Sequence, residues 1–178
     1  MDINYFKSLI IILLFIQSIN SQTNIPSIYV KTINGKSINS KSTLNQDGLT
    51  VYSFWATWCV PCINELDAIH NEFEKWKEAN IKLVAVSTDD SRTKRRVRPL
   101  INGKNWKFEI VLDENQKFKR ALNISGVPHT VVVKGSEIIY RKIGYKPGDE
   151  SDLYDFLLKN SKNWLIKYET KNSSFINT

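Results

Sequence analysis

An α/β domain, with a central mixed sheet flanked by helices, is what the sequence predicts for residues 22–160, and three observations carry it. Strand-like apolar runs alternate with segments of helical spacing along most of the chain. The pairs Asn34-Gly35 and Gly135-Ser136 each separate two short strand-like runs, the mark of antiparallel hairpins. Finally, Ile81-Lys82-Leu83-Val84-Ala85-Val86-Ser87 is apolar almost throughout, as expected of a parallel strand covered on both faces.

Taken in order, Ile28–Ile33 and Lys36–Ile38 flank Asn34-Gly35 and form the first hairpin. Leu49–Trp55 is the next strand. The helix after it carries Ile63, Leu66, Ile69, Phe73 and Trp76 at steps of three and four, which places them on one apolar stripe. Beyond the strand Ile81–Ser87, helices around Thr93–Ile101 and Asn115–Leu122 flank a short strand near Phe108–Leu112. Strands Thr130–Lys134 and Glu137–Ile143 form a second hairpin, and a helix from Asp149 to Asn160 closes the domain. Residues 161–178 are polar and rich in Asn and Lys, and are expected to be a flexible tail.

Residues 1–21 read differently. An apolar stretch from Leu9 to Ile16 follows Lys7 and gives way to Gln17-Ser18-Ile19-Asn20-Ser21, the pattern of a secretory signal peptide cut after Ser21. The alternative is an uncleaved membrane anchor, but the apolar part is well short of the roughly 20 residues that span a bilayer. The expected location is therefore periplasmic or otherwise extracytoplasmic. The net charge of +7 is the same with or without this segment, which holds one base, Lys7, and one acid, Asp2. No stacking motif accompanies that charge, so nucleic acid is not an expected partner; the basic balance fits solubility and weak attraction to acidic surfaces. Arg92, Lys94, Arg95, Arg96 and Arg98 form the densest run, and helical spacing spreads them over more than one face, the pattern of a solvated helix.

The chemistry concentrates at Trp58-Cys59-Val60-Pro61-Cys62, which holds the only two cysteines in 178 residues. A disulfide-stapled scaffold is thereby excluded. A CxxC between a strand and a helix is the context of a redox pair. Cys59 falls at the helix N-terminus, where unpaired backbone N–H groups and the helix dipole favour a thiolate. Such placement lowers a cysteine pKa from about 8.5 towards roughly 3.5–7.5. Cys59 is therefore the candidate nucleophile and Cys62, one turn inside, the resolving thiol. Pro61 is tolerated because it lies in the first turn. The histidines His70 and His129 lack the spacing of a zinc site, and no metal, flavin or nicotinamide is called for.

Three segments carry a family resemblance: Phe54-Trp55-Ala56-Thr57-Trp58-Cys59-Val60-Pro61-Cys62-Ile63-Asn64-Glu65-Leu66, Val84-Ala85-Val86-Ser87-Thr88-Asp89, and Gly126-Val127-Pro128-His129-Thr130. Together they resemble the thioredoxin fold, and more closely its TlpA/ResA branch of secreted thiol–disulfide oxidoreductases. The N-terminal hairpin and an insert of about 30 residues before the Pro128 strand match that branch's additions. The resemblance implies that Pro128 is a cis-proline facing the disulfide and that the Val127 backbone pairs with an extended substrate. It implies that Trp58 is an exposed indole offering an apolar docking surface. It also implies that Glu65 manages protons on the thiols, since thioredoxin's buried aspartate is replaced here by Ser53. His129 has two readings, a modulator beside the sulfurs or an ordinary strand side chain.

The expected activity is reduction of protein disulfides through a Cys59/Cys62 cycle by a monomer, recharged by a membrane thiol electron donor. Val60-Pro61 resembles the reducing members of the branch, whereas Val127 resembles the oxidant DsbA. The alternatives are a DsbA-like oxidant, or a thioredoxin-fold holder of thiol-bearing chains that does not turn over.

Overall fold

The computed structural model describes residues 24–161. Its elements run β1 (Tyr29–Thr32), β2 (Ser37–Asn39), β3 (Leu49–Trp55), α1 (Val60–Asn71), α2 (Phe73–Glu78), β4 (Ile81–Ser87), α3 (Val97–Lys104), β5 (Glu109–Leu112), α4 (Lys117–Ala121), β6 (His129–Lys134), β7 (Glu137–Ile143) and α5 (Asp149–Asn160). The signal segment read at 1–21 and all but the first residue of the tail read at 161–178 lie outside the described residues. Among the described residues no helix is long and apolar enough to cross a membrane.

One mixed sheet takes all seven strands in the order β2-β1-β5-β4-β3-β6-β7. β3 lies near its middle, parallel to β4 and antiparallel to β6. All seven β3 residues are buried, which its apolar sequence permits because both faces of the sheet are covered. Alternation along β3 divides the core. Val51 and Trp55 join Cys62, Leu66, Ile69, Trp76, Leu153 and Leu157 under α1, α2 and α5. Tyr52 and Phe54 point the other way, onto Val84, Val86, Phe118, Leu122 and Val131. β1 and β2 pair antiparallel through the Asn34-Gly35 turn, where Gly35 takes φ +83°, a region an L side chain rarely enters. β5 is not peripheral: it sits between β1 and β4.

The structure departs from the sequence pattern in three places. The single helix expected through Trp76 is two, because the Glu72 N–H bonds to Ile69 O and the tightened turn breaks the ladder. The stripe consequently buries Leu66, Ile69 and Trp76, with Ile63 and Phe73 half-buried. The helix expected over Thr93–Ile101 begins as a 3-10 turn at Lys94–Arg96 and becomes regular only at Val97. Pro99 then falls in the first α3 turn, where a missing N–H costs nothing. The helix expected over Asn115–Leu122 is held to Lys117–Ala121 by Gln116, whose φ of 51° is left-handed.

Candidate active site

Sheet and helix meet where β3 ends. Ala56, Thr57 and Trp58 lead from Trp55 to Cys59, and this short loop is pinned to the end of β4. Thr88 N–H donates to Trp55 O at 2.8 Å, and its hydroxyl donates to the same oxygen at 3.0 Å. The buried Asp89 carboxylate accepts from Thr57 N–H at 2.9 Å, Thr57 Oγ1 at 2.6 Å and Ser87 Oγ at 2.9 Å. These bonds determine where α1 can start, and Cys59 is its N-cap. Val60 and Pro61 are the first two helical residues, so Pro61 sacrifices no intrahelical bond.

Cys59 and Cys62 are joined in a disulfide with Cα atoms 5.3 Å apart. Cys62 is fully buried and Cys59 is 5% exposed. Any partner must reach the pair through Cys59, the sulfur nearer the surface. Trp58 and Val60, on either side of Cys59, are 59% and 65% exposed, although both are large and apolar.

Beneath the pair lies Glu65, one helical turn past Cys62 and 4% exposed. Ser53 Oγ donates to its Oε2 at 3.1 Å, and Thr130 Oγ1 donates to its Oε1 at 2.7 Å. Burial pushes the Glu65 carboxyl above its ordinary value. The two hydroxyl donors and the Lys142 ammonium oppose that shift without cancelling it. A carboxyl so placed holds a proton at a pH where an exposed glutamate has lost it.

The Val127–Pro128 peptide is cis. Val127 packs against the cluster that includes both cysteines, and Pro128 O accepts from Gly144 N–H at 2.9 Å. Trp58, Cys59, Pro61, Cys62 and Glu65 thus follow one another along the loop and α1, while Val127, beside Pro128, packs on the core cluster that holds both cysteines. His129 does not join them. It pairs with Phe54 across β3 and β6, whereas Thr130 pairs with Ser53, so the imidazole shares Phe54's face and lies across the sheet from Glu65. Burial and the Arg141 charge push the His129 pKa down, which disfavours an imidazolium there. His70 is half-buried, with its ring 6.3 Å from Phe108.

Sequence reasoning singled out neither Asp89 as the loop anchor nor the ion pair of Lys142 and Asp149 behind Glu65. The polar trio Ser87-Thr88-Asp89 at the end of a buried strand was the available signal for the first; the second had none. The basic run is dispersed: Arg92 pairs with Asp90, Lys94 with Glu114, and Arg98 donates to Ile33 O. Among the described residues, no group of three or more His, Cys, Asp or Glu side chains is placed to hold a metal ion.

Comparison with known proteins finds relatives of thioredoxin-like fold. The AhpC/TSA family is matched over residues 22–142. Thiol-disulfide oxidoreductase ResA of Bacillus thuringiensis (strain Al Hakam) is 26% identical over 130 residues, 72% of this chain and 73% of the relative. Sporulation thiol-disulfide oxidoreductase A of Bacillus subtilis (strain 168) is 29% identical over 131 residues, 72% and 78% of the two chains. A thioredoxin-like protein from Porphyromonas gingivalis superposes with a TM-score of 0.68 at 34% identity, covering 79% of this chain and 93% of that one. StoA from Bacillus subtilis superposes with a TM-score of 0.60 at 26% identity, covering 74% and 97%.

Proposed function

This chain belongs to the AhpC/TSA family and has a thioredoxin-like fold, and from that premise we propose that it is an extracytoplasmic oxidoreductase that reduces protein disulfides with Cys59 and Cys62. Its relatives are named thiol-disulfide oxidoreductases. The observation that carries the reading is Glu65, buried one turn from Cys62 and held by the Ser53 and Thr130 hydroxyls.

In the reduced protein the Cys59 thiolate, favoured at the α1 N-terminus, attacks one sulfur of a substrate disulfide. A Cys59–substrate bond forms, the substrate bond breaks, and the departing sulfur takes a proton from water. The Val127 backbone beside Pro128 supports the substrate as an extended strand, and Trp58 offers it an apolar surface. Cys62 then passes its proton to the Glu65 carboxylate and attacks Cys59. The Cys59–Cys62 bond forms, the mixed disulfide breaks, and the second substrate sulfur leaves as a thiolate that takes a proton from water, while Glu65 returns its own to solvent. Two electrons have moved to the substrate. A thiol donor at the membrane restores the dithiol, and the protein acts as a monomer. The leader-like residues 1–21 support a location outside the cytoplasm.

Thiol titration of the Glu65→Gln variant tests the proton acceptor: the Cys62 titration should move, and an unchanged profile refutes the role. Direction is tested by the reduction potential in thiol redox buffers. A reductase should lie near or below about −250 mV, close to thioredoxin; a value near about −120 mV would make the protein an oxidant.

A further inference from the structure

The Glu65 carboxyl has charged neighbours that the exchange chemistry alone does not require. Thr130, which donates to Glu65, pairs with Lys142 across β6 and β7. Paired residues carry their side chains on the same face, with Cβ atoms about 4.5–5.5 Å apart. Lys142 Nζ lies 2.7 Å from Oδ1 of Asp149, in the first turn of α5. The other Asp149 oxygen, Oδ2, accepts from Lys146 N–H at 2.9 Å, so the acid is fixed on both sides. The titratable groups that face Glu65 are therefore Cys62 on its own helix, Lys142 on β7, Asp149 on α5, and Tyr145 between those last two elements. Tyr145 is turned to Glu150, with its hydroxyl 2.8 Å from Oε2. Among these, Lys142 is the one cation.

We propose that Lys142, fixed by Asp149, is a positioning residue that sets how readily Glu65 ionises and hence the pH at which Cys62 can resolve a mixed disulfide. This rests on the reading of Glu65 as the proton acceptor for Cys62. A buried carboxyl with no cation beside it stays protonated and cannot take a proton from a thiol. With a cation unopposed by Asp149, it would ionise too readily and be a poor base. The pair offers both charges, with the ammonium on the residue paired to Glu65's own hydrogen-bond donor. The two partners should therefore act in opposite senses: loss of the ammonium leaves Glu65 facing Asp149 alone, and loss of the Asp149 charge leaves it facing Lys142 alone.

The experiment uses the reduced full-length chain and a dithiobis-nitrobenzoate probe, whose two aryl thiolates leave in sequence. Attack by Cys59 releases the first and leaves a Cys59–aryl disulfide; closure by Cys62 releases the second and leaves the Cys59–Cys62 bond. The pH midpoint of the second phase reads the Cys62 step. Lys142→Met should move it up by about one unit or more, the size of effect expected from one nearby charge. Asp149→Asn should move it down, and Lys142→Arg should leave it near the wild type. In a Glu65→Gln background, Lys142→Met should add no shift. Shifts of the same sign, or none, for Lys142→Met and Asp149→Asn overturn the proposal while leaving the role of Glu65 standing, provided Glu65→Gln itself moves the second phase. An equal Lys142→Met shift with and without Glu65 also overturns it, because Lys142 would then act on Cys62 directly. If Glu65→Gln leaves the second phase unmoved, the underlying reading fails first. Should Lys142→Met not fold, Asp149→Asn still decides: a downward shift that disappears in the Glu65→Gln background is expected, and an upward shift or none overturns the proposal.

Discussion

Asp89 is the residue whose loss should do most to the approach to Cys59 without touching either sulfur. Its carboxylate is 1% exposed and accepts three hydrogen bonds, two of them from Thr57 in the loop that leads to Cys59. Asp89→Ala would leave the Thr57 amide, the Thr57 hydroxyl and the Ser87 hydroxyl without their acceptor. Bonds to a charged group contribute about 1.5–3 kcal/mol each. The three share one carboxylate and are not independent, so a total near 4 kcal/mol is a reasonable working figure. That is a large part of the 5–15 kcal/mol that typically separates a native domain from its unfolded chain. At roughly 3–5 °C per kcal/mol for a domain of this size, the melting temperature should fall by about 12–20 °C. Asp89→Asn keeps the volume and one acceptor oxygen but turns an amide toward a donor, so it should lose about half as much. Thermal melts of the oxidised protein at neutral pH, followed by far-UV circular dichroism, provide the measurement. A melting temperature for Asp89→Ala within about 2 °C of the wild type would show that the loop holds its shape without the carboxylate.

Glu65 makes a prediction about stability as well as rate. Its folded pKa is raised by burial, so the native state retains a proton that the unfolded chain releases above about pH 4.3. Stability should therefore fall as pH rises from there through the raised folded pKa. Glu65→Gln should flatten that slope in denaturant titrations, and a slope that persists would assign it to another group. Cys62→Ser should accumulate Cys59-linked mixed disulfides with protein substrates on non-reducing gels. Normal substrate handling without trapped species would favour a holder over an oxidoreductase. Arg95→Glu combined with Arg96→Glu changes two exposed side chains and should leave turnover with a protein disulfide unchanged. A loss present at low salt and absent at high salt would instead mark a docking patch.

What could be read from the sequence and what could not divide along the range of the interactions involved. The Cys59 N-cap is local: an apolar run ends at Trp55, a helical stripe begins, and Pro61 suits only a first turn. The break at Glu72 escapes the same reasoning because Phe73 and Trp76 return to the core side after the tightened turn, so the apolar spacing hardly registers it. Glu65 was visible as a position three residues past Cys62, but its burial depends on Thr130, 65 residues away in the chain. His129 shows the limit most clearly. Alternation in β6 guarantees that His129 and Thr130 face opposite ways, yet leaves open which one meets the thiols. Register with β3 decides it, pairing Ser53 with Thr130 and Phe54 with His129, and a slip of one residue would exchange them. That register is held by long-range packing: Val131 against Tyr52 and Phe54 on one face, Val132 against Val51 on the other. The same reasoning reaches Lys142. Its place follows from its pairing with Thr130 and from α5 folding back to present Asp149, so a lysine that carries no signal in the sequence is set, through two registers, opposite the threonine whose hydroxyl donates to Glu65.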